Sequence, residues 1–170
     1  MPRQVALLRG VNLGKRTVVM RDLRALVEAA GFTDVQTLLA SGNVVLSARE
    51  IGAKLETKLE KLLLKVLGFE CGVFVRTGAE FDAVIAANPF KAFAKSNPSF
   101  LLVNFMRGPA SAADLATMRK SSADEEFRVG PDCLYIKYPS GQGQSRLRPP
   151  EGTARNWNTV TKLAAMLRGE

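Results

Sequence analysis

The sequence of 170 residues contains no histidine and only two cysteines, Cys71 and Cys133. Without histidine, a His-based catalytic triad or a histidine general base is impossible. The two cysteines do not have the CxxC spacing of a zinc site, and histidine is also the usual partner ligand for a transition metal or haem. We therefore expect no metal site and no bound cofactor.

Long apolar runs are also missing. A membrane-spanning helix needs roughly 20 apolar residues, and no run approaches that length. The first residues, Met1-Pro2-Arg3, lead directly into a short strand-like run and do not resemble a signal peptide. We expect a cytoplasmic protein with no membrane partner. A hydrophobic content of 46% nevertheless supplies enough material for a substantial core.

Sequence motifs for nucleotide chemistry are absent as well. The glycine-containing stretch from Gly141 to Arg146 lacks the spacing of a P-loop, and no strand is followed by GxGxxG and a helix. No carboxylate pair or activated nucleophile lies near the basic motifs, where Asp22 and Glu151 are almost the only acids. This pattern favours binding over catalysis without excluding an enzyme.

The positive charge is concentrated near the two ends of the chain. The net charge is +8, and residues 1–24 carry six basic side chains against Asp22. Residues 137–168 also carry six basic side chains, against Glu151. Two clusters of this kind indicate a partner that bears phosphate or another anion, and nucleic acid is one such partner.

The first half of the chain alternates between strand and helix patterns. We predict strands at Gln4–Leu8, Val35–Leu39, Val44–Leu46 and Val73–Arg76. Helical spacing of apolar residues follows Met20, and a second helix is predicted over 51–67 with the apolar residues Ile51, Leu55, Leu59, Leu62 and Val66 on its buried face. The order strand, helix, strand, strand, helix, strand fits a ferredoxin-like βαββαβ unit.

The second half begins in the same way after a connection at residues 91–98. The predicted elements are a strand at residues 100–106, a helix from Ser111 to Lys120 and two strands at residues 126–129 and 133–138. Pro149-Pro150 breaks any helix begun at Ser145, and a final amphipathic helix follows Trp157. We therefore predict an α+β fold with two linked ferredoxin-like halves, residues 1–90 and 91–170, the second irregular at its end.

Four motifs together resemble the bacterial family known as domain of unknown function 1697. They are Leu7-Leu8-Arg9-Gly10-Val11-Asn12, Ser41-Gly42-Asn43-Val44, Asn88-Pro89-Phe90 and Thr153-Ala154-Arg155-Asn156-Trp157-Asn158-Thr159. The resemblance runs from end to end and implies two linked ferredoxin-like α+β halves, but no established activity. The chain departs from the usual family pattern at Ala40, where glutamine is common, and in the helix that Pro149-Pro150 cuts short.

The candidate ligand-binding residues are polar or basic side chains at the ends of predicted elements. They are Arg9, Asn12, Ser41, Asn43, Ser145, Arg146, Arg155, Asn156 and Asn158. Arginine forks onto phosphate or carboxylate groups, and the N-terminus of the last helix favours an anion. Alternatively, Asn12 stabilises its loop and Ser41-Gly42-Asn43 is an ordinary hairpin turn.

Three functions remain open at this point: a binding module for an anionic or phosphorylated ligand, a small-molecule enzyme with its site between the halves, or a structural or interaction protein. The N-terminal and C-terminal clusters either lie on opposite faces or converge on one cleft between the halves. We predict that the cleft is formed by Arg9, Asn12, Ser41, Asn43, Arg155, Asn156 and Asn158. We also predict that nucleic acid does not stack on the sheet, because Val5–Leu8 and Val44–Leu46 contain no aromatic residue.

Overall fold

The computed structural model describes residues 1–170, and the chain divides into two compact units. Unit 1 comprises Met1–Phe81 and Leu163–Glu170, and unit 2 comprises Asp82–Lys162. The protein has two separate antiparallel sheets of four strands, which confirms the predicted α+β class. None of its helices has the length and apolar character required to cross a bilayer.

Unit 1 contains the complete βαββαβ sequence of elements. These are β1 (Arg3–Arg9), α1 (Met20–Ala29), β2 (Thr33–Leu38), β3 (Asn43–Ser47), α2 (Ala53–Leu67) and β4 (Gly72–Thr77). The strand order β2-β3-β1-β4, with every neighbouring pair antiparallel, is that of a ferredoxin-like sheet. A further helix, α3 (Gly78–Ala86), begins directly after β4.

Helix α2 packs its leucines against the sheet, although its buried face differs from the predicted one. Leu55, Leu59 and Leu63 are at most 3% exposed, whereas Val66 is 50% exposed. Ile51 lies before the helix and is also exposed. Residues spaced i, i+4 and i+8 lie on one face of a helix. Leu55, Leu59 and Leu63 have this spacing and form the contact with the sheet.

The outer edge of β4 is covered by carboxylates. Glu60 accepts a hydrogen bond from the Val73 amide at 3.1 Å, and Glu56 accepts one from the Val75 amide at 2.9 Å. Glu80 at the start of α3 accepts a third from the Thr77 amide at 2.8 Å. These charge-assisted bonds satisfy the backbone groups that an edge strand would otherwise leave unpaired.

Unit 2 repeats the strand order with different connections. Its strands are β5 (Leu101–Phe105), β6 (Glu126–Gly130), β7 (Cys133–Lys137) and β8 (Thr153–Asn156), in the order β6-β7-β5-β8. Its remaining helices are α4 (Lys91–Ser96), a 3-10 turn (Pro98–Phe100), α5 (Ala112–Ser121) and α6 (Trp157–Leu167), the last of which continues into unit 1. No helix separates β7 from β8, in agreement with the helix-breaking Pro149-Pro150 pair.

Two local features of unit 2 differ from the sequence prediction. The stretch at residues 91–98, expected to be a connection, forms α4, and Thr153–Asn156, expected to be a polar helix start, forms β8. Helix α5 begins as predicted. Ser111 accepts the Asp114 amide while the Asp114 side chain accepts the Ser111 amide, which is a capping box.

The two tyrosines lie in the interior of unit 2. Tyr135, on β7, is 0% exposed and donates its hydroxyl hydrogen bond to the Val84 carbonyl, while Tyr138 is 2% exposed. Burial raises the pKa of both phenols, because ionisation would place a charge in an apolar environment. For Tyr138, burial and the nearby Glu125 charge raise the pKa to about 12.

Candidate functional site

The loop between β1 and α1 is held in one conformation by Asn12. The residue has a positive φ of 56°, and its side-chain oxygen accepts a hydrogen bond from the Val18 amide at 2.8 Å. Its side-chain nitrogen donates to the Ala40 carbonyl at 2.6 Å, which joins this loop to the turn between β2 and β3. Asparagine tolerates the left-handed conformation better than most residues, so the loop geometry explains this residue type.

The turn between β2 and β3 contributes the second predicted motif. Asn43 is fully buried and donates to the Leu38 carbonyl at 2.7 Å and to the Ser41 hydroxyl at 3.1 Å. Gly42 has a φ of 90°, and a Cβ there would lie 2.8 Å from the Leu8 Cβ. Only glycine combines this conformation with such a close approach to β1.

The two motifs therefore meet at one end of the first sheet. The Leu8 amide donates to the Gly42 carbonyl at 2.8 Å, in addition to the bond between Asn12 and Ala40. The structure thus brings Arg9, Asn12, Ser41 and Asn43 into one neighbourhood within unit 1. Two of these side chains, Asn12 and Asn43, make the hydrogen bonds that shape it.

The same loop displays basic side chains, of which the candidate set included Arg9 but omitted Lys15 and Arg16. Arg9, Lys15 and Arg16 are all exposed. The Arg16 guanidinium lies 5.6 Å from the centre of the Phe69 ring and also contacts the Glu70 carbonyl at 3.4 Å, so its position is restrained. We call Arg9–Arg16 the basic loop. In the sequence, the feature that indicates these side chains is the basic pair Lys15-Arg16 directly after Gly14.

Arg155 lies in β8 and is almost completely buried. It is 6% exposed, and its guanidinium donates to the Thr153 hydroxyl at 2.7 Å and to the Ala154 carbonyl at 3.0 Å. Hydrogen bonds of a buried guanidinium to neighbouring oxygens are those expected of a side chain that stabilises its surroundings.

The asparagines at the start of α6 have different partners. The Asn156 side chain accepts a hydrogen bond from the Thr159 amide at 3.0 Å, in the manner of a helix N-cap. Asn158 is exposed and donates to the Ser99 hydroxyl at 3.1 Å. Because Asn156 already accepts a hydrogen bond from one of the backbone amides at the N-terminus of α6, fewer of these amides remain for an anion.

Ser145 belongs to the long connection between β7 and β8. Its hydroxyl donates to the Glu125 carboxylate and accepts a hydrogen bond from the Leu147 amide at 3.1 Å. The Ser145 hydroxyl, together with the Ala123 amide, holds the pKa of Glu125 below its usual value. Arg146 beside it is exposed. The Glu125 carboxylate would repel an anion at Ser145.

The residues of the basic loop can bind an anion but offer little for proton transfer. Arginine and lysine bear fixed positive charge at neutral pH, and the asparagine and serine side chains are neutral donors. No group of three or more Cys, Asp or Glu side chains is arranged to hold a metal ion. Arg9 and Arg155 belong to different compact units, and their convergence on one cleft stays a prediction.

Comparisons with known proteins agree with this fold. The conserved bacterial protein SP0830 from Streptococcus pneumoniae has a similar structure, with a TM-score of 0.76, 22% sequence identity and coverage of 99% of each chain. At this identity the likeness shows the fold alone. No curated protein matches the chain. The model of the family described as protein of unknown function (DUF1697) matches residues 1–135, and the chain belongs to this family.

Proposed function

We propose that the protein is a binding module for a phosphate-bearing or otherwise anionic ligand, and that the basic loop is its main contact. The observation that carries the proposal is the loop held by Asn12, which displays Arg9, Lys15 and Arg16 at the surface in a restrained conformation. A loop that is already ordered loses less conformational entropy when a ligand binds.

The backbone of the loop supports the same proposal. Gly10 and Gly14 have positive φ values of 75° and 60°, and a Cβ at Gly14 would have no neighbour within 4 Å. A ligand can therefore approach the main chain closely at Gly14, while the neighbouring basic side chains supply charge. Electrostatic attraction of this kind is strongest at low salt.

The sheet of unit 1 supports binding at the loop over binding by base stacking. Val5, Leu7 and Val45 are all 0% exposed, and they alternate along the strands with residues that contact the helices. Both faces of the central strands are therefore buried. RNA-binding ferredoxin-like domains stack bases on exposed aromatic residues of the sheet, a mode that these strands cannot supply.

A titration with inorganic phosphate and with a short single-stranded oligonucleotide of mixed sequence tests the proposal. The test variant is Lys15→Gln with Arg16→Gln, and the control is Lys61→Gln with Lys65→Gln on the exposed side of α2. Each variant loses two positive charges. We expect the basic-loop variant to bind about tenfold or more weakly and to have a shallower salt dependence, because phosphate contacts release counterions.

The control variant should bind within about twofold of the unchanged protein, since a general loss of charge acts only at long range. Equal losses in both variants would show non-specific attraction to a basic protein. Absence of binding to either probe in about 50 mM salt would exclude a phosphate-binding function for this loop.

A further inference from the structure

The outer edge of β6 has backbone groups that are not paired with another strand. A two-residue turn joins β6 to β7, so that Gly130 lies opposite Cys133, and pairing continues without a bulge to Glu126 and Lys137. In such a hairpin, hydrogen-bonded residue pairs alternate with pairs that are not hydrogen-bonded, and the pair that closes the turn is hydrogen-bonded. The amides and carbonyls of Phe127 and Val129 therefore point away from β7.

The surroundings leave this edge accessible. Val129 is 53% exposed, and Glu126 and Arg128 are exposed as well. The Phe127 carbonyl accepts a hydrogen bond from the guanidinium of its own neighbour, Arg128, at 2.8 Å. A side chain that folds back onto the backbone in this way occupies a position that a paired strand would take.

The edge of β6 differs from the other strand edges in having no bulge, no truncation and no carboxylate of a helix bound to its amides. Carboxylates of α2 and α3 cover the edge of β4, and the register of β2 shifts between Thr33 and Gln36. β8 is only four residues long. Bulges, short strands, covering elements and charged side chains are the usual devices that prevent pairing with another chain, and β6 carries only the charged side chains, Glu126 and Arg128.

We propose that β6 pairs with β6 of a second copy of this chain, antiparallel and centred on Phe127, so that two four-stranded sheets join into one of eight strands. The charged residues of β6, Glu126 and Arg128, favour a second copy of the chain as the partner. In this register Glu126 of each copy lies directly opposite Arg128 of the other, which gives two complementary pairs about a twofold axis.

The neighbouring registers are unfavourable. Shifting the centre to Arg128 places two arginines opposite each other, and shifting it in the other direction to Glu126 places two glutamates opposite each other. Centring on Val129 places Arg128 opposite Gly130 and brings Pro131, which has no amide hydrogen, opposite Phe127. Of these registers, only the one centred on Phe127 places Glu126 and Arg128 of one copy opposite residues of opposite charge in the other.

Sedimentation of the full chain from about 10 µM to about 1 mM tests the pairing. We expect a reversible monomer–dimer equilibrium. The single variants Glu126→Arg and Arg128→Glu should each weaken self-association by about tenfold or more, because each places like charges opposite each other. Circular dichroism and thermal unfolding at the lowest concentration show that each variant is folded.

Mixing the two single variants supplies the decisive measurement. A chain with arginine at both positions is complementary to a chain with glutamate at both, so the mixture should form heterodimers at least as tightly as the unchanged protein forms homodimers. The amides of Phe127 and Val129 should exchange more slowly with deuterium as the concentration rises.

Three results would overturn the proposal. The first is a chain that stays monomeric over the whole concentration range. The second is a dimer that is unaffected by either substitution, and the third is a pair of weakened variants that do not recover on mixing. Binding of a synthetic extended peptide to β6 by a chain that does not self-associate would show that the edge receives another protein instead.

Discussion

The two sheets have the same strand order, but the connections that lead to their last strands differ. In unit 1, α2 lies between β3 and β4 and supplies the Glu56 and Glu60 carboxylates to the edge of β4. In unit 2, a connection without a helix leads from β7 to β8. A helix in this position therefore provides polar groups for the edge as well as apolar side chains for the core.

In unit 2 the backbone packs closely where the connection enters β8. A Cβ at Gly152 would lie 2.4 Å from the Phe105 carbonyl, so that only glycine fits where the connection enters β8. The Asn104 side chain donates to the Pro150 carbonyl at 3.2 Å and so binds the same segment to β5. The comparison shows that the same strand order forms with a helix or with an extended segment as the connection to the last strand.

The largest expected effect is that of Glu56→Ala, which uncovers the edge of β4. Glu56 is 8% exposed, and its loss leaves the buried Val75 amide without this acceptor. An unsatisfied buried donor together with the loss of a charge-assisted bond costs about 2–3 kcal/mol. Urea unfolding measured at neutral pH gives the free energy of unfolding directly.

The matched control is Glu28→Ala on α1 of the same unit. Glu28 is exposed and pairs only with Arg24 at 2.8 Å across one helical turn, so we expect a change below about 0.5 kcal/mol. If both substitutions had equal small effects, the carboxylates would not be needed to protect β4, and the contrast between the two sheets would rest on connectivity alone.

Much of this architecture could be predicted because local patterns specified it. The apolar runs and the turn at Ser41-Gly42-Asn43 predict both strand–helix–strand–strand starts, and the Ser111 cap is visible from its residue type. Strand β8 was missed because Thr-Ala-Arg-Asn has no apolar alternation. It is a strand through its pairing with β5, about 50 residues away, which no local pattern records.

The candidate site was predictable to a similar degree. Arg9-Gly10-Val11-Asn12 and Ser41-Gly42-Asn43 lie at the same end of the sheet because β1 and β3 are antiparallel neighbours. The bond from Asn12 to Ala40 spans 28 residues and depends on a positive φ, which the sequence does not specify. The restrained role of Asn12 could therefore be found only in three dimensions.

An intermediate effect is expected at alkaline pH and should be confined to unit 2. The pKa of Tyr138 is raised to about 12, so its neutral form stabilises the fold fully below the unfolded pKa near 10, and this contribution is lost as the pH rises through 12. For Tyr138 alone, linkage then predicts a loss of about 1.4 kcal/mol between pH 8 and pH 11, and the raised pKa of Tyr135 adds a loss of the same sign.

Hydrogen exchange followed residue by residue measures this loss in each unit. Both tyrosines lie in unit 2, so its amides should lose protection first, and Tyr138→Phe should retain about 1 kcal/mol more stability at pH 11 than the unchanged protein does. Simultaneous loss of protection in both units, unchanged by Tyr138→Phe, would contradict the assignment to this phenol.

The smallest expected effect concerns Ser145, which orders the connection that replaces the missing helix. Its hydroxyl is the main cause of the lowered pKa of Glu125. A lowered pKa means that the stabilisation is present above the unfolded pKa and is lost as the pH falls through the folded pKa. Ser145→Ala should raise the pKa of Glu125 towards its ordinary value of 4.5 and cost less than about 1 kcal/mol at neutral pH, with a smaller cost under strongly acidic conditions, where the bond from the Leu147 amide is still lost.

A carboxyl titration of Glu125 by NMR measures this change and also tests Ser145 as an anion ligand. An anion bound to the Ser145 hydroxyl would displace its hydrogen bond to Glu125 and add a like charge nearby, and both effects raise the pKa of the carboxyl group. If phosphate binds only at the basic loop, in the other unit, saturating phosphate should leave this titration unchanged while Lys15→Gln with Arg16→Gln still weakens binding. An upward shift in the pKa of Glu125 would instead identify Ser145, with Arg146 beside it, as a second phosphate contact.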